Sequence, residues 1–114
     1  MQYFTPVQNL LRHSAETPNK IYLHQAMNRQ WHEYSWAEVE HQARCIASAL
    51  TQQGFSQGDK IGILSKNCAH WVIADLGIMM AGMISVPIYP TANEKTISYV
   101  LTHANVKALF VGKL

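Results

Sequence analysis

The sequence reads as an α/β chain: an N-terminal helix and β-hairpin followed by a βαβαβ parallel-sheet unit. Three short apolar segments, 60–65, 84–89 and 107–111, alternate with two helix-like segments. That alternation favours a parallel sheet with right-handed crossovers. Helix-start signatures sit where such a unit needs them, with Ser35 three residues before Glu38 and Thr91 three before Glu94. No repeat, low-complexity stretch or linker divides residues 1–114, so one unit with no internal boundary is expected.

Each element has a local reason. Residues 6–15 place Val7, Leu10 and Leu11 at i, i+3 and i+4, one apolar side of a helix that Pro18-Asn19 ends. Residues 21–27 and 30–34 are expected strands joined by a hairpin turn at Asn28-Arg29. Ser35 then caps the clearest helix, whose stripe is Val39, Ala43, Ile46, Ala47 and Leu50, and Gly54 supplies its left-handed end. Gln57-Gly58-Asp59 turns the chain into the strand at 60–65. A helix expected to start at Asn67 carries Trp71, Val72, Ile73, Leu76, Ile78, Met79 and Met80, apolar on nearly every side, and so must be covered all round. Gly82 ends it. Pro87 inside the next strand cannot donate to a ladder, which marks an edge, a bulge or a strand end. A last helix, with Thr91 and Glu94 as its capping box and Ile97, Val100, Leu101 and Ala104 on one side, leads to the strand at 107–111.

Composition excludes several function classes. Net charge is +2 over 114 residues with no run of Lys or Arg, which argues against nucleic acid. Charged residues make up 14%, below the usual quarter, as for a surface meant to be covered by more protein. Cys45 and Cys68 form no CxxC and are expected as reduced core thiols of a cytoplasmic protein. The most apolar window, 69–87, is interrupted by Asp75, Gly77 and Gly82 and reads as helix, turn and strand, not a membrane span. Residues 1–6 show neither the basic start nor the apolar stretch of a signal peptide.

Each residue type able to carry chemistry also has a structural role open to it. The glycines, Gly54, Gly58, Gly62, Gly77, Gly82 and Gly112, form neither a dinucleotide fingerprint nor a phosphate loop. Ser65-Lys66-Asn67 lies where a parallel strand meets a helix, the side on which open α/β sheets bind ligands. Lys66 and the free N–H groups after Asn67 could hold an anion there, but an N-cap Asn67 beside a solvated Lys66 is the favoured reading. His13, His24, His32, His41, His70 and His103 are read as unpaired at helical spacing with one another or with a cysteine, although His24 and His32 could face each other across the hairpin. Asp75 is the one acid in the apolar helix and is expected to serve structure rather than act as a base. Trp31, Trp36 and Trp71 are expected in core packing rather than in ligand stacking. No catalytic, cofactor-binding or metal-ligating residue is assigned.

Four segments together resemble the adenylate-forming (AMP-binding) superfamily, which includes acyl-CoA synthetases, peptide-synthetase adenylation domains and luciferase. Tyr34-Ser35-Trp36-Ala37-Glu38-Val39 resembles its first core motif, and Gly58-Asp59-Lys60-Ile61-Gly62-Ile63-Leu64 its glycine–aspartate turn into the first parallel strand. Asn67 to Leu76 is similar to the following helix, with His70 where an acidic residue is usual. Ala81-Gly82-Met83-Ile84-Ser85-Val86-Pro87-Ile88-Tyr89-Pro90-Thr91 is similar to the second core motif; Pro87-Ile88-Tyr89-Pro90-Thr91 is closer to long-chain fatty acyl-CoA synthetases than to peptide-synthetase domains, which carry Asp where Tyr89 stands.

The resemblance implies an N-terminal fragment of a long-chain fatty acid–CoA ligase, part of a larger acyl-CoA synthetase-like N-terminal domain. In the full enzyme a fatty acid carboxylate would attack the α-phosphate of ATP, giving acyl-adenylate and pyrophosphate, and the CoA thiol would then displace AMP. ATP, Mg2+ and CoA are implied for that enzyme and no cofactor for this segment, because the family's catalytic motifs lie downstream of it. Its partners would be the remainder of the synthetase chain, the fatty acid, ATP and CoA, but no nucleic acid. The expected location is cytoplasmic, with peripheral membrane association of the full enzyme left open. The alternatives are a non-catalytic interaction module, forming a homo-oligomer through an exposed sheet edge, and a minimal nucleotide sensor, the weakest because no phosphate cradle is visible.

Overall fold

The computed structural model describes residues 5–27, 29–66 and 68–112. The chain runs α1 (Pro6–Glu16), β1 (Ile21–Met27), β2 (Gln30–Ser35), α2 (Trp36–Gln52), β3 (Lys60–Leu64), α3 (Ala69–Met80), β4 (Ile84–Ile88), α4 (Glu94–His103) and β5 (Val106–Val111). β1 and β2 form an antiparallel pair, and the three later strands form a parallel sheet in the order β4-β3-β5.

The expected α/β architecture is present, and its first helix is better specified than the apolar spacing alone suggests. Thr5 Oγ1 accepts the Gln8 N–H at 3.1 Å while Gln8 Oε1 accepts the Thr5 N–H at 2.9 Å, a capping box with Pro6 at the first helical position. The box at Ser35 and Glu38 opens α2 as the residues require. The carbonyls of Pro18 and Lys20 accept the Ala37 and Trp36 N–H groups at 3.1 Å each, so backbone from the preceding turn satisfies the helix's other free donors. Thr91 does not cap α4. That helix starts two residues later than expected, and Asn93 Oδ1 accepts the Thr96 N–H at 2.8 Å. Residues 89–92 are closed into a turn by the Ala92 N–H to the Tyr89 carbonyl, which leaves the stronger capping residue, Asn, at the helix start.

Arg29 of the hairpin turn adopts φ +65°, while Asn28 lies outside the described residues. The strand register pairs His24 with Glu33 and Gln25 with His32, so the two histidines do not face each other. His24 Nδ1 instead lies 3.9 Å from Glu33 Oε1.

Two buried clusters lie on opposite sides of α3. Ala74 and Ile78 join Leu50, Ile61, Ile63 and Met83 over the sheet. Ile73 and Leu76 join Leu10, Val39 and Ala43 between the helices, with Tyr22, Leu23 and Tyr34 of the hairpin packed alongside. This is why α3 is apolar around most of its girth: one face meets a sheet and another meets helices. Gly77 makes the helix contact close, since a Cβ there would lie 2.6 Å from Ile46 Cγ2 on α2.

Gly58 and Gly82, both at positive φ, bring the starts of β3 and β4 together. The Gly58 N–H donates to the Gly82 carbonyl, and the Ile84 N–H to the Asp59 carbonyl, each at 2.9 Å. Asp59 Oδ2 also accepts the Ser56 N–H at 2.9 Å, tightening the turn into β3. Pro87 stands opposite Ile63 on β4, which is an edge of the described sheet.

Candidate functional site: a cleft at the strand ends

The chain passes from β3 to β4 on one side and then from β4 to β5 on the other. β3 is therefore a switch point, and a crevice opens beyond the C-terminal ends of β3 and β5. A cleft of about 200 Å3 lies there, lined chiefly by Ser65, His70, Trp71, Phe110 and Gly112. Its walls come from the end of β3, the first two turns of α3, the end of β5, and Gln42 and Ile46 of α2.

Ser65 is buried, and its hydroxyl donates to the Lys66 carbonyl at 2.9 Å, with Cys68 Sγ 4.0 Å away. Gly112 closes over it: the Gly112 N–H reaches the Leu64 carbonyl at 3.0 Å, and a Cβ at 112 would lie 2.6 Å from Ser65 Oγ. The ring of His70 is turned to the hairpin, where Nε2 meets Tyr34 Oη at 3.3 Å. Ser65 thus bonds to backbone and His70 to a phenol, which is no nucleophile–base pair.

The start of α3 bears on the anion expectation. Cys68 holds the N-cap position without a side-chain cap bond, and Asn67, the expected cap, lies outside the described residues. The Ala69 N–H donates to Gln25 Oε1 of β1 at 2.9 Å. A donor that an anion would need is therefore held by an amide from the hairpin, and Lys66 is exposed. Sequence reasoning missed Gln25, because nothing in a strand residue signals a helix 44 residues away.

Asp75 is half-buried and accepts the Ser85 hydroxyl at 2.5 Å, tying α3 to β4. His41 and Cys45 correct the reading of unpaired histidines: they stand four apart on α2, with Nε2 3.8 Å from Sγ. Two such groups do not close a zinc site, and no three His, Cys, Asp or Glu side chains converge among the described residues. Cys45 is exposed rather than in the core, on the outer side of α2; Cys68 is half-buried, and both are free thiols. Trp36 is stacked between His13 at 4.4 Å and Tyr22 at 3.8 Å, whereas Trp31 is 72% exposed and no core residue. Trp71 packs on the sheet-side cluster and lines the cleft. No helix among the described residues is long and apolar enough to cross a membrane.

Comparison with known proteins places this geometry. A family profile described as AMP-binding enzyme matches residues 10–114. The chain is 36% identical over 81 residues to long-chain-fatty-acid–CoA ligase 1 of Homo sapiens, covering 69% of this chain and 12% of that protein. It is 35% identical over 80 residues to fatty acyl-CoA synthetase A of Dictyostelium discoideum, covering 68% and 12%. Among solved structures, fatty acyl-adenylate ligase from L. pneumophila in complex with acyl adenylate and pyrophosphate superposes with a TM-score of 0.84 at 25% identity, covering 92% of this chain and 19% of that one. The anthranilate CoA ligase AuaEII gives a TM-score of 0.84 at 27% identity, covering 96% and 20%. The chain thus spans about an eighth of the curated relatives cited here, which each share 12% of their length with it. With the profile matched across nearly the whole of the described α/β unit, the chain belongs to the AMP-binding enzyme family.

Proposed function

We propose that these 114 residues are the N-terminal part of a long-chain fatty acid–CoA ligase, folded as one continuous unit that builds scaffold and is inactive alone. The parent would join a fatty acid to CoA through an acyl-adenylate, releasing pyrophosphate and then AMP. The match to long-chain ligases at about one third identity carries this reading.

The roles of the family-like residues support a scaffold. Ser35 and Glu38 cap α2, Asp59 closes a turn, and Gly82 turns the chain into β4. Each makes a backbone bond or turn, leaving no group presented to a reacting atom. The residues described offer ATP and Mg2+ a poor fit, because Gln25 holds the Ala69 N–H at the start of α3 and no three His, Cys, Asp or Glu side chains converge among them. The catalytic, cofactor-binding and metal-binding groups, in this reading, belong to the remainder of the synthetase chain. Two free thiols, one of them exposed, favour the reducing cytoplasm as its location.

The experiment is pyrophosphate exchange into ATP dependent on a long-chain fatty acid. The protein read from the full coding sequence should catalyse it, and the purified 114-residue chain should not. Exchange by the short chain itself would overturn the scaffold assignment. A full-length product that activates other carboxylates but no fatty acid would overturn the substrate class.

A further inference from the structure

His41 and Cys45 stand one turn apart on the exposed face of α2, with Nε2 3.8 Å from Sγ. Imidazole and thiolate together suit zinc, whereas Mg2+ and Ca2+ take oxygen ligands. A nitrogen at about 2.0–2.1 Å and a sulfur at about 2.3 Å from one tetrahedral zinc lie about 3.6 Å apart. The pair is therefore already near the spacing of two ligands on one ion, and a small closing movement makes it a chelate. Arg44, the neighbouring cation, does not oppose this, because its Nε donates to Glu40 Oε2 at 2.9 Å and the carboxylate offsets its charge.

Such a chelate is half complete. Structural zinc takes four protein ligands, and among the described residues no third His, Cys, Asp or Glu joins these two. One turn on, Ser48 and Ala49 are small and exposed, so a second helix can lie close against this stretch of α2. Under two-fold symmetry a surface patch meets itself. The two ligands that one copy lacks are then the two that another copy offers.

We propose that His41 and Cys45 are a zinc half-site, and that a second copy of this chain completes it with two imidazoles and two thiolates, α2 against α2. Each Cys45 binds as thiolate and gives its proton to solvent, and each His41 binds neutral through Nε2. This ion bridges subunits; it is separate from the Mg2+ of the ligase reading and does not depend on that reading.

The test uses the protein read from its full coding sequence, reduced and stripped of metal, with its mass followed by light scattering. Half an equivalent of Zn2+ should double the mass, and chelator should restore it. Co2+ in place of zinc should give the intense visible bands of a tetrahedral thiolate site, at one ion per two chains. Cys45→Ser and His41→Gln should each lose the mass change and those bands while keeping the parent's circular dichroism. A mass that ignores both zinc and chelator would overturn the proposal, as would a zinc response retained by Cys45→Ser. One ion per chain, bound through Cys45 without dimers, would overturn the shared site. Dimers that survive chelator and break on reduction would be a Cys45 disulfide and would overturn it too.

Discussion

Gln25 on β1 and Ala69 at the start of α3 are joined by a 2.9 Å hydrogen bond, so an amide in the hairpin caps a helix of the parallel-sheet unit. The bond fastens the N-terminal hairpin to the α/β unit at the rim of the cleft. It also occupies a helix-end donor that would otherwise face water or an anion.

Removing that cap should cost stability on the scale of other N-caps. Gln25→Ala is expected to lose about 1 kcal/mol in urea denaturation, and Gln25→Glu to keep most of it, because a carboxylate suits a helix N-terminus. An alanine variant as stable as the parent would mean that the bond contributes nothing in solution.

The cap of α4 separates two readings of one sequence. Asn93→Ala should destabilise by about 1 kcal/mol, whereas Thr91→Ala should stay within roughly 0.5 kcal/mol of the parent. Thermal melts of the pair decide it. The reverse ranking would restore Thr91 as the helix start.

Gly77→Ala sets helix propensity against packing. Propensity alone would stabilise α3 by about 1 kcal/mol. The added Cβ would meet Ile46 Cγ2 at 2.6 Å and the Ala43 carbonyl at 3.0 Å, and overpacking of that kind costs about 1–3 kcal/mol. The backbone contact cannot swing aside, so net destabilisation is expected, partly relieved by Ile46→Ala in a double-mutant cycle. A stabilised single variant would show that α2 and α3 are further apart than described.

Tyr22 gives the fold an alkaline limit. Burial against Trp36, with ring centroids 3.8 Å apart, raises its phenol above the ordinary value of 10.0. A folded-state value above the unfolded one means that the contribution is whole below pH 10 and is lost as pH rises through the raised value. Tyr22→Phe should therefore flatten the fall in stability above pH 10, measured by urea midpoints across that range. An unchanged alkaline slope would remove Tyr22 as its source.

Local chemistry determined most of the architecture. The box at Ser35 and Glu38, the left-handed Gly54 and the apolar strands Lys60–Leu64 and Val106–Val111 each depend on neighbours a few residues away, and periodicity records such neighbours. The all-round apolar surface of α3 even announced burial on two sides, as the two clusters bear out. Tertiary structure alone decided the rest: that Gln25 reaches Ala69, that Gly112 seals Ser65, that His24 pairs with Glu33 instead of His32, and that the face of α2 carrying Cys45 is left exposed, although the i, i+4 spacing of His41 and Cys45 was already legible in the sequence. These follow from strand register and from which edge of a helix meets its neighbour. A one-residue slip in register turns a side chain to the opposite face without altering composition or local spacing, so only the assembled chain records the outcome.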